Sequence, residues 1–381
     1  MARRTVSVPV PSASALCMVA LLAVGSLVIG GGLNPPVGPV SPTMKTLDEV
    51  EPRIAVNATN TPGDADSLYK ITAPGSYYLT GNVTGVAGKH GVEIAASGVT
   101  LDLNGFDLMG VPGMGAFDGV YVSLAAVGHI TVRNGTVRSW GGDGIDADDS
   151  PNIRAFIERI TASSNSAAGV GAGAGSIISG CMTNDNGDSG IYASFGSRVS
   201  ACESSFNGNF GVVMSSGGMV SDCNTYNNFL DGISTGSACT VIGCTSDSNG
   251  GNGISTGNSA TVTQCTASLN AGNGIVASGD CRVVGNNCDS NGFNTADGAG
   301  IFVIGSDCRI EGNNCTDNDR GIDVDGPGNI LVGNTCSGNT VSWDVAANNV
   351  CLVVAPPASV AFTGNTGGTS LSTNPWANFT Y

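Results

Sequence analysis

Charged residues are scarce in this sequence, and basic residues are the scarcest of all. Of 381 residues only 12% are charged, with 30 Asp and Glu against 14 Lys and Arg, so the net charge is −16. From Gly169 to Trp343 there are fifteen acidic residues and four Arg, with neither Lys nor His. Such a surface repels a phosphate backbone, which excludes a nucleic-acid-binding protein. It also repels polyanionic glycans unless cations bridge the two.

Leucine is also rare, whereas glycine is abundant at 58 residues. Leucine-rich repeats need a regular leucine frame, and helical repeats need longer periods filled with helix formers. Gly, Ser, Asn and Thr dominate this chain instead, so the composition excludes both architectures.

The N-terminal residues have the composition of an export signal followed by a linker. Arg3 and Arg4 precede a nearly uninterrupted apolar run from Ala13 to Ile29, and three glycines follow it. This pattern predicts a signal peptide over residues 1–32 and a secreted or cell-surface protein. The run also fits the alternative of an uncleaved membrane anchor. The Pro-rich segment 33–43 is typical of an extended linker.

A repeat occupies most of the remaining chain. Gly followed by Ile or Val recurs at intervals of 28, 25, 25, 21, 21, 21, 21, 21, 26 and 21 residues, and a degraded copy begins at Trp343. A period in the twenties predicts a solenoid, here over residues 91–355. The repeated glycines are Gly91, Gly119, Gly144, Gly169, Gly190, Gly211, Gly232, Gly253, Gly274, Gly300 and Gly321.

Each repeat predicts one coil of three short parallel strands. In "GISTGSACTVIGCTSDSNGGN", short alternating segments are separated by Gly, Ser and Asn. Residues at equal offsets then stack into ladders along the solenoid. A cysteine ladder contains Cys181, Cys202, Cys223, Cys244 and Cys265, and an asparagine ladder contains Asn186, Asn207, Asn228, Asn249, Asn270 and Asn291, with Asn318 and Asn339 displaced by one position. Stacked amides at a turn hydrogen-bond from coil to coil, which is a structural role.

These features resemble the right-handed parallel β-helix proteins of the pectin-lyase-like group. "ITAPGSYYLTGNVTG" and "GVTLDLNGFDLMG" are similar to the opening coils of many bacterial members, and "MKTLDEVEPR" and "NPWANFTY" to the ends of secreted ones. The resemblance implies an all-β, single-stranded right-handed parallel β-helix. It also implies an N-terminal cap and first coil over residues 44–90 and a C-terminal cap over residues 356–381.

Twelve cysteines follow the predicted signal peptide. Cysteines stacked in register have parallel Cβ vectors about 4.8 Å apart, which does not suit an unstrained disulfide. We therefore interpret the ladder as small apolar residues that fill the core, and Cys288, Cys315 and Cys336 as its continuation. Cys281 and Cys308 lie on adjacent coils, and a disulfide between them remains the alternative.

In this fold group, sites usually lie on the outer face of the strand that follows the Gly. Asp146 and Asp148 occupy outward positions there, roughly 7 Å apart at strand spacing. Two carboxyl groups at that distance suit the acid and base of an inverting glycosidase. The alternative is a solvated acidic turn. Glu93 and Tyr121, on the two preceding coils, complete a polar cluster.

Two further features predict ligands. Tyr192 and Phe302 lie on the same outer face and are candidates for stacking against sugars. The segment "DNDRGIDVDG" contains four carboxylates, Asp317, Asp319, Asp323 and Asp325, and clustered carboxylates suit Ca²⁺. The spacing does not match an EF-hand, and the glycine-rich Ca²⁺-binding nonapeptide of other β-helices is missing.

The catalytic pattern of the polygalacturonase-like relatives is incomplete here. They carry a double Asp with a His-Gly and an Arg-x-Lys further along, whereas no His follows Asp148-Asp149 and no Arg-x-Lys occurs. His90 and His129 are interpreted as ordinary polar residues. The leading hypothesis is a non-catalytic surface or extracellular protein that binds a glycan or a partner. The alternatives are a polysaccharide lyase or glycoside hydrolase centred on Asp146 and Asp148, and a purely structural spacer or adhesin.

Overall fold

The computed structural model describes residues 53–123, 128–149, 152–293, 298–354, 362–364 and 374–381. The predicted signal peptide and linker lie outside these residues, as do the start of the predicted N-terminal cap and much of the predicted C-terminal cap. Every element in the described part is a β-strand. Accordingly, no helix of membrane-spanning length and apolarity occurs among these residues.

The strands of residues 53–381 wind into a solenoid with three faces. Face 1 is a sheet of 14 parallel strands, one per coil. These strands are Ser67–Ile71, His90–Ile94, Val120–Val122, Ile145–Ala147, Val170–Ala172, Ile191–Ala193, Val212–Met214, Ile233–Thr235, Ile254–Thr256, Ile275–Ala277, Ala299–Val303, Arg320–Val324, Val341–Val345 and Phe362–Gly364.

Faces 2 and 3 follow in each coil and together form a sheet of 26 strands. Face 2 contains Ile54–Ala55, Gly75–Tyr78, Val99–Asp102, Ile177–Ser179, Arg198–Ser200, Met219–Ser221, Thr240–Ile242, Thr261–Thr263, Arg282–Val284, Arg309–Glu311, Ile330–Val332 and Val350–Cys351. Face 3 contains Val83–Thr84, Asp107–Met109, Met182–Asn184, Glu203–Ser205, Asn224–Tyr226, Thr245–Asp247, Thr266–Ser268, Asn287–Asp289, Asn314–Thr316, Thr335–Ser337, Val353–Val354 and Asn378–Thr380. In two coils the face 2 and face 3 strands are continuous, as Gly128–Arg138 and Ile153–Ser163.

This architecture confirms the predicted all-β parallel β-helix with three strands per coil. On face 1 the residue after each repeated Gly is buried, as Ile145 and Ile191 are, and its neighbour on the next coil pairs in register. Alternation along each strand sends the next side chain outward. The degraded copy is also confirmed, because Trp343 pairs with Ile322 and is fully buried.

Asparagine side chains tie each coil to the next at the corner between face 3 and face 1. Asn207 Nδ2 donates to Asn228 Oδ1 over 2.9 Å, and the backbone N–H of Asn207 donates to the same oxygen over 3.2 Å. The ladder extends from Asn165 to Asn339. Asn318 and Asn339, which the sequence repeat displaces by one position, still continue the ladder in line.

The cysteines are buried but do not form a strand wall. Cys181 to Cys265 lie in the two-residue corner between faces 2 and 3, and Cys265 is succeeded there by Asn286. Four of the five thiols donate to a backbone carbonyl of the preceding coil, as Cys244 Sγ does to Val220 O, and asparagine amides donate to the corresponding carbonyls in later coils. All twelve cysteines in the described residues are free thiols, so the alternative of a disulfide between Cys281 and Cys308 is not realised.

We expect Asn228→Ala to lower the free energy of unfolding by about 3 kcal/mol or more, because it leaves two donors of Asn207 and the carbonyl of Ser204 without their partner in the core. Asn224→Ala, on the exposed side of the same coil, is the matched control and should be nearly neutral. Urea unfolding midpoints measure both. Equal midpoints for the two variants would contradict the role of the ladder.

The twelve cysteines from Cys181 to Cys351 should not react with a thiol reagent in the native protein, since each of them is buried. After denaturation without reductant, all twelve should react. Counting alkylated cysteines by mass spectrometry tests this, and two cysteines that react only after reduction would reveal a disulfide.

Candidate functional site

A row of outward side chains crosses face 1 from coil to coil in the N-terminal half of the solenoid. Register pairing aligns one residue from each of six successive coils: Lys70, Glu93, Tyr121, Asp146, Gly171 and Tyr192. Parallel strands place these positions about 4.8 Å apart. We call this set row A. The structure therefore brings together Glu93, Tyr121 and Asp146 as the sequence predicted.

A second row lies beside it, one residue before each repeated Gly. It contains His90, Asp118 and Asp143. Each aspartate accepts a backbone N–H from the following coil: Asp118 Oδ1 from Asp143 over 2.7 Å, and Asp143 Oδ1 from Ala168 over 2.6 Å. These bonds bind the coils together and hold the carboxyl groups against row A.

His90 is part of the site rather than an isolated polar residue. Its ring stacks on Tyr121 with centroids 4.4 Å apart and meets Phe117 edge-on at 4.9 Å. The backbone N–H of Asp118 donates to Nδ1 over 3.0 Å, which leaves the proton of the neutral ring on Nε2. Tyr121 Oη donates to Asp149 Oδ2 over 2.9 Å. The imidazole thus fixes the phenol ring over the carboxyl groups.

Four carboxyl groups, those of Asp118, Asp143, Asp148 and Asp149, surround that of Asp146, and we call these five groups the acidic cluster. Oxygens of Asp118, Asp143 and Asp146 lie within 4.8 Å of one another, as do oxygens of Asp146, Asp148 and Asp149. The expected separation of roughly 7 Å between Asp146 and Asp148 is wrong for the carboxyl oxygens, because the side chains lean toward each other. That approach does not match an inverting glycosidase, which needs room for a water molecule between the two groups.

Crowding keeps protons on this cluster at neutral pH. Burial raises the pKa of Asp146 to about 8, and a hydrogen bond with Asp148 favours the protonated form further. Burial also raises the pKa of Asp143 to about 7, helped by the charges of Asp118 and Asp148. Burial and the hydrogen bond to Asp149 raise the pKa of Tyr121, so the phenol stays protonated. The cluster therefore offers both hydrogen-bond donors and acceptors.

A notch interrupts row A at Gly171, between Asp146 and Tyr192. A Cβ placed on Gly171 would lie 3.4 Å from the carboxyl group of Asp148 and 3.6 Å from Asp143 Oδ2. This is ordinary contact distance, so packing does not require a glycine here. Gly171 itself is buried, the carboxyl groups of Asp148 and Asp143 border the position of its missing side chain, and Tyr192 follows on the next coil.

The N-terminal end of row A carries the positive charge. Lys70 Nζ lies 2.9 Å from Glu93 Oε2 and 2.7 Å from Asp64 Oδ2. Ser67 Oγ donates to Glu93 over 2.7 Å. Oxygens of Asp64, Asp66 and Glu93 form a further carboxylate group. These oxygen-only sets are the kind that hard cations such as Ca²⁺ prefer.

The other predicted ligands lie elsewhere. Phe302 is on row A's line but seven coils beyond Asp146, beside a cavity of about 560 Å³. Among the described residues, the carboxylate groups able to share an ion do not include Asp317, Asp319, Asp323 or Asp325. Asp323 is instead buried in an ion pair with Arg320, 2.5 Å away.

Sequence reasoning missed Lys70, His90, Asp118 and Asp143. Lys70 belongs to a coil without the repeated Gly, although Tyr69, Lys70 and Ile71 alternate as a strand does. The other three each directly precede a repeated Gly, and that recurrence was the available signal.

Comparison with known proteins identifies the fold. A family model described as "Right handed beta helix region" matches residues 118–289. No sequence among the curated proteins matches the chain.

Among the solved structures that resemble this solenoid are an epimerase module and a tailspike protein. The A-module of mannuronan C-5 epimerase AlgE4 from Azotobacter vinelandii is 17% identical, with 72% of this chain and 90% of that chain covered and a TM-score of 0.55. A mutant tailspike protein of E. coli bacteriophage HK620, in complex with a pentasaccharide, is 15% identical, with 87% and 79% covered and a TM-score of 0.54. At this identity the likeness shows the fold. The chain has the right-handed parallel β-helix fold that the resemblance to the pectin-lyase-like group implied.

The raised pKa of Asp146 makes stability depend on pH. In the unfolded chain this carboxyl group titrates near 3.8, so between about pH 4 and pH 8 the folded state holds a proton that the unfolded state loses. This contribution is complete below pH 4 and is lost as the pH rises toward 8. We expect Asp146→Asn to flatten the fall in melting temperature across that range.

Asp222→Asn, which neutralises an exposed carboxylate, is the control and should keep the wild-type pH profile. Scanning calorimetry at both ends of the range makes the comparison. A wild-type profile in Asp146→Asn would mean that Asp146 is ionised in the folded protein.

Proposed function

We propose that this right-handed parallel β-helix protein is exported and binds a polysaccharide along face 1 of its first coils. The observation that carries the proposal is row A together with its notch at Gly171. Row A presents an ammonium, carboxyl groups and two aromatic rings in a line, spaced about 4.8 Å apart. The basic and apolar N-terminal segment supports export.

The chemistry of the row suits sugar hydroxyl groups. A protonated Asp146 and the Asp148 carboxylate offer a donor and an acceptor on one coil. Tyr192, one coil beyond Gly171, supplies a surface for stacking. Polar groups fixed by backbone hydrogen bonds, as Asp118 and Asp143 are, lose little freedom on binding.

The charge favours a neutral glycan. Among the ion pairs in the described residues, none joins a Lys or Arg to the acidic cluster, and His90 Nδ1, 3.2 Å from Asp118 Oδ2, accepts a backbone N–H instead of donating to that carboxyl group. A uronate polymer would be repelled unless Ca²⁺ bridged its carboxylates to those of the protein.

The likeness to a mannuronan epimerase and to a tailspike with a bound pentasaccharide supports a carbohydrate ligand. Both proteins share the fold. The first is named for mannuronan, and the second is in complex with a pentasaccharide.

A second candidate is a glycan-cleaving enzyme that uses the same residues. The observation that favours it is the pKa of Asp146, about 8, since a carboxyl group that keeps its proton at neutral pH can protonate a glycosidic oxygen. Asp148 would then be the carboxylate partner. The short distance between them fits a retaining arrangement better than an inverting one.

Gly171→Val should weaken polysaccharide binding at least tenfold, because the added methyl groups would displace the carboxyl groups of Asp148 and Asp143, which border this glycine. Ser200→Val places the same side chain on face 2, away from row A, and should bind like the wild type. Affinity electrophoresis on neutral mannan, xylan and dextran and on uronate polymers, with and without Ca²⁺, measures both. Equal retention of the two variants would refute a site at Gly171.

The same panel separates binding from catalysis. New reducing ends or unsaturated products that disappear in Asp146→Ala/Asp148→Ala would establish the enzyme. Retention of the glycan without cleavage products supports a binding protein. The absence of both retention and products would favour a structural spacer.

A further inference from the structure

We propose that the cavity beside Phe302 is a second sugar-binding subsite, which takes one neutral ring of a chain that also occupies row A. The inference rests on the proposed function for its ligand class, but on separate residues for its geometry. The cavity has a volume of about 560 Å³ and is lined by Phe302, Arg320, Asp323, Asp325 and two short stretches of small and amide residues, 250–252 and 271–273.

The floor of the cavity is held rigid by packing. A Cβ on Gly250 would lie 2.2 Å from the carbonyl oxygen of Phe229, and one on Gly251 would lie 2.3 Å from Asp231 Oδ1. Packing against the preceding coil therefore requires glycine at both positions and fixes the backbone that lines the cavity. A preformed hollow binds a ligand without the cost of ordering a loop.

Two amides on the wall are fixed in orientation. Asn273 Nδ2 donates to Asn252 Oδ1 over 3.1 Å, and Asn252 Nδ2 donates to Ser255 Oγ over 3.2 Å. Across the cavity the exposed carboxylate of Asp325 is an acceptor for hydroxyl groups. Phe302, half-buried between Val276 and Asp323 in its row, supplies an apolar ring. An aromatic platform with fixed polar groups around it is the arrangement that recognises a sugar ring.

The charge balance selects a neutral ring. Arg320 Nη1 lies 2.5 Å from Asp323 and its Nε lies 3.6 Å from Asp344. Two carboxylates thus pair with this guanidinium, and Asp325 adds a third to the lining of the cavity, so an anionic sugar meets net repulsion.

The subsite lies on the same line as row A. Pairing runs in register from Asp146 through seven coils to Phe302, which is about 34 Å at 4.8 Å per coil. A long unbranched chain lying along the axis reaches both places, whereas a short oligosaccharide reaches one. Joining two weak sites in this way raises the affinity for polymer by a factor on the order of 100 or more over short oligomers.

Phe302→Ala tests the subsite, with Val276→Ala as the matched control one coil away and Phe302→Tyr as the conservative variant. Short and long chains of mannan, xylan and dextran are the probes, and calorimetric titration gives affinity and stoichiometry. We expect Phe302→Ala to remove one of two binding events for short oligomers and most of the advantage of the polymer. Phe302→Tyr should retain both.

Wild-type behaviour of Phe302→Ala would overturn the subsite. Failure of the proposed function has a different signature, because Gly171→Val would then leave binding intact while Phe302→Ala abolished it. A polymer that binds no tighter than a short oligomer would overturn the claim that one chain spans both places.

Discussion

The hydrogen-bonded stacking of asparagine amides from coil to coil is the interaction on which the rest of the structure depends. Each amide donates to the oxygen of the next asparagine and to a backbone carbonyl of the preceding coil. A buried amide left without these partners is costly, so a coil cannot slip by a residue without breaking several bonds at once. The ladder also continues across coils of unequal length, since Asn291 and Asn318 are hydrogen-bonded although 27 residues separate them.

Because neighbouring coils pair in register, residues at equal offsets from the repeated Gly form a line of side chains on the surface. Row A exists because one outward position on each coil aligns with the next, so chemistry can be placed by substituting single residues without changing the fold. In the acidic cluster, such placement crowds several carboxyl groups together. Asp118 and Asp143 stabilise the stacking through the N–H groups that they accept, yet their proximity to Asp146 forces protons onto carboxyl groups that would ionise in water.

The periodic part of the chain was predictable because the β-helix has one physical period. The glycine intervals predicted which residues share a row, and Glu93, Tyr121, Asp146 and Tyr192 lie where the offsets placed them. Lys70 was not predicted, since its coil lacks the glycine that marked the others. The approach of Asp146 to Asp148 depends on side-chain rotamers, which strand spacing does not determine. The cavity at Phe302 depends on backbone packing below it, which no residue pattern reveals.

Oxidative footprinting of aromatic side chains tests most directly the claim that face 1 holds a glycan. Tyr192 and Phe302 lie on face 1, whereas Phe206 and Phe229 are exposed in turns after face 3, at 52% and 70%, and serve as internal controls. With the best-retained polysaccharide of the panel bound, we predict reduced oxidation of Tyr192 and Phe302 and unchanged oxidation of Phe206 and Phe229. Protection confined to Phe206 and Phe229, or spread equally over all four, would contradict a binding site on face 1.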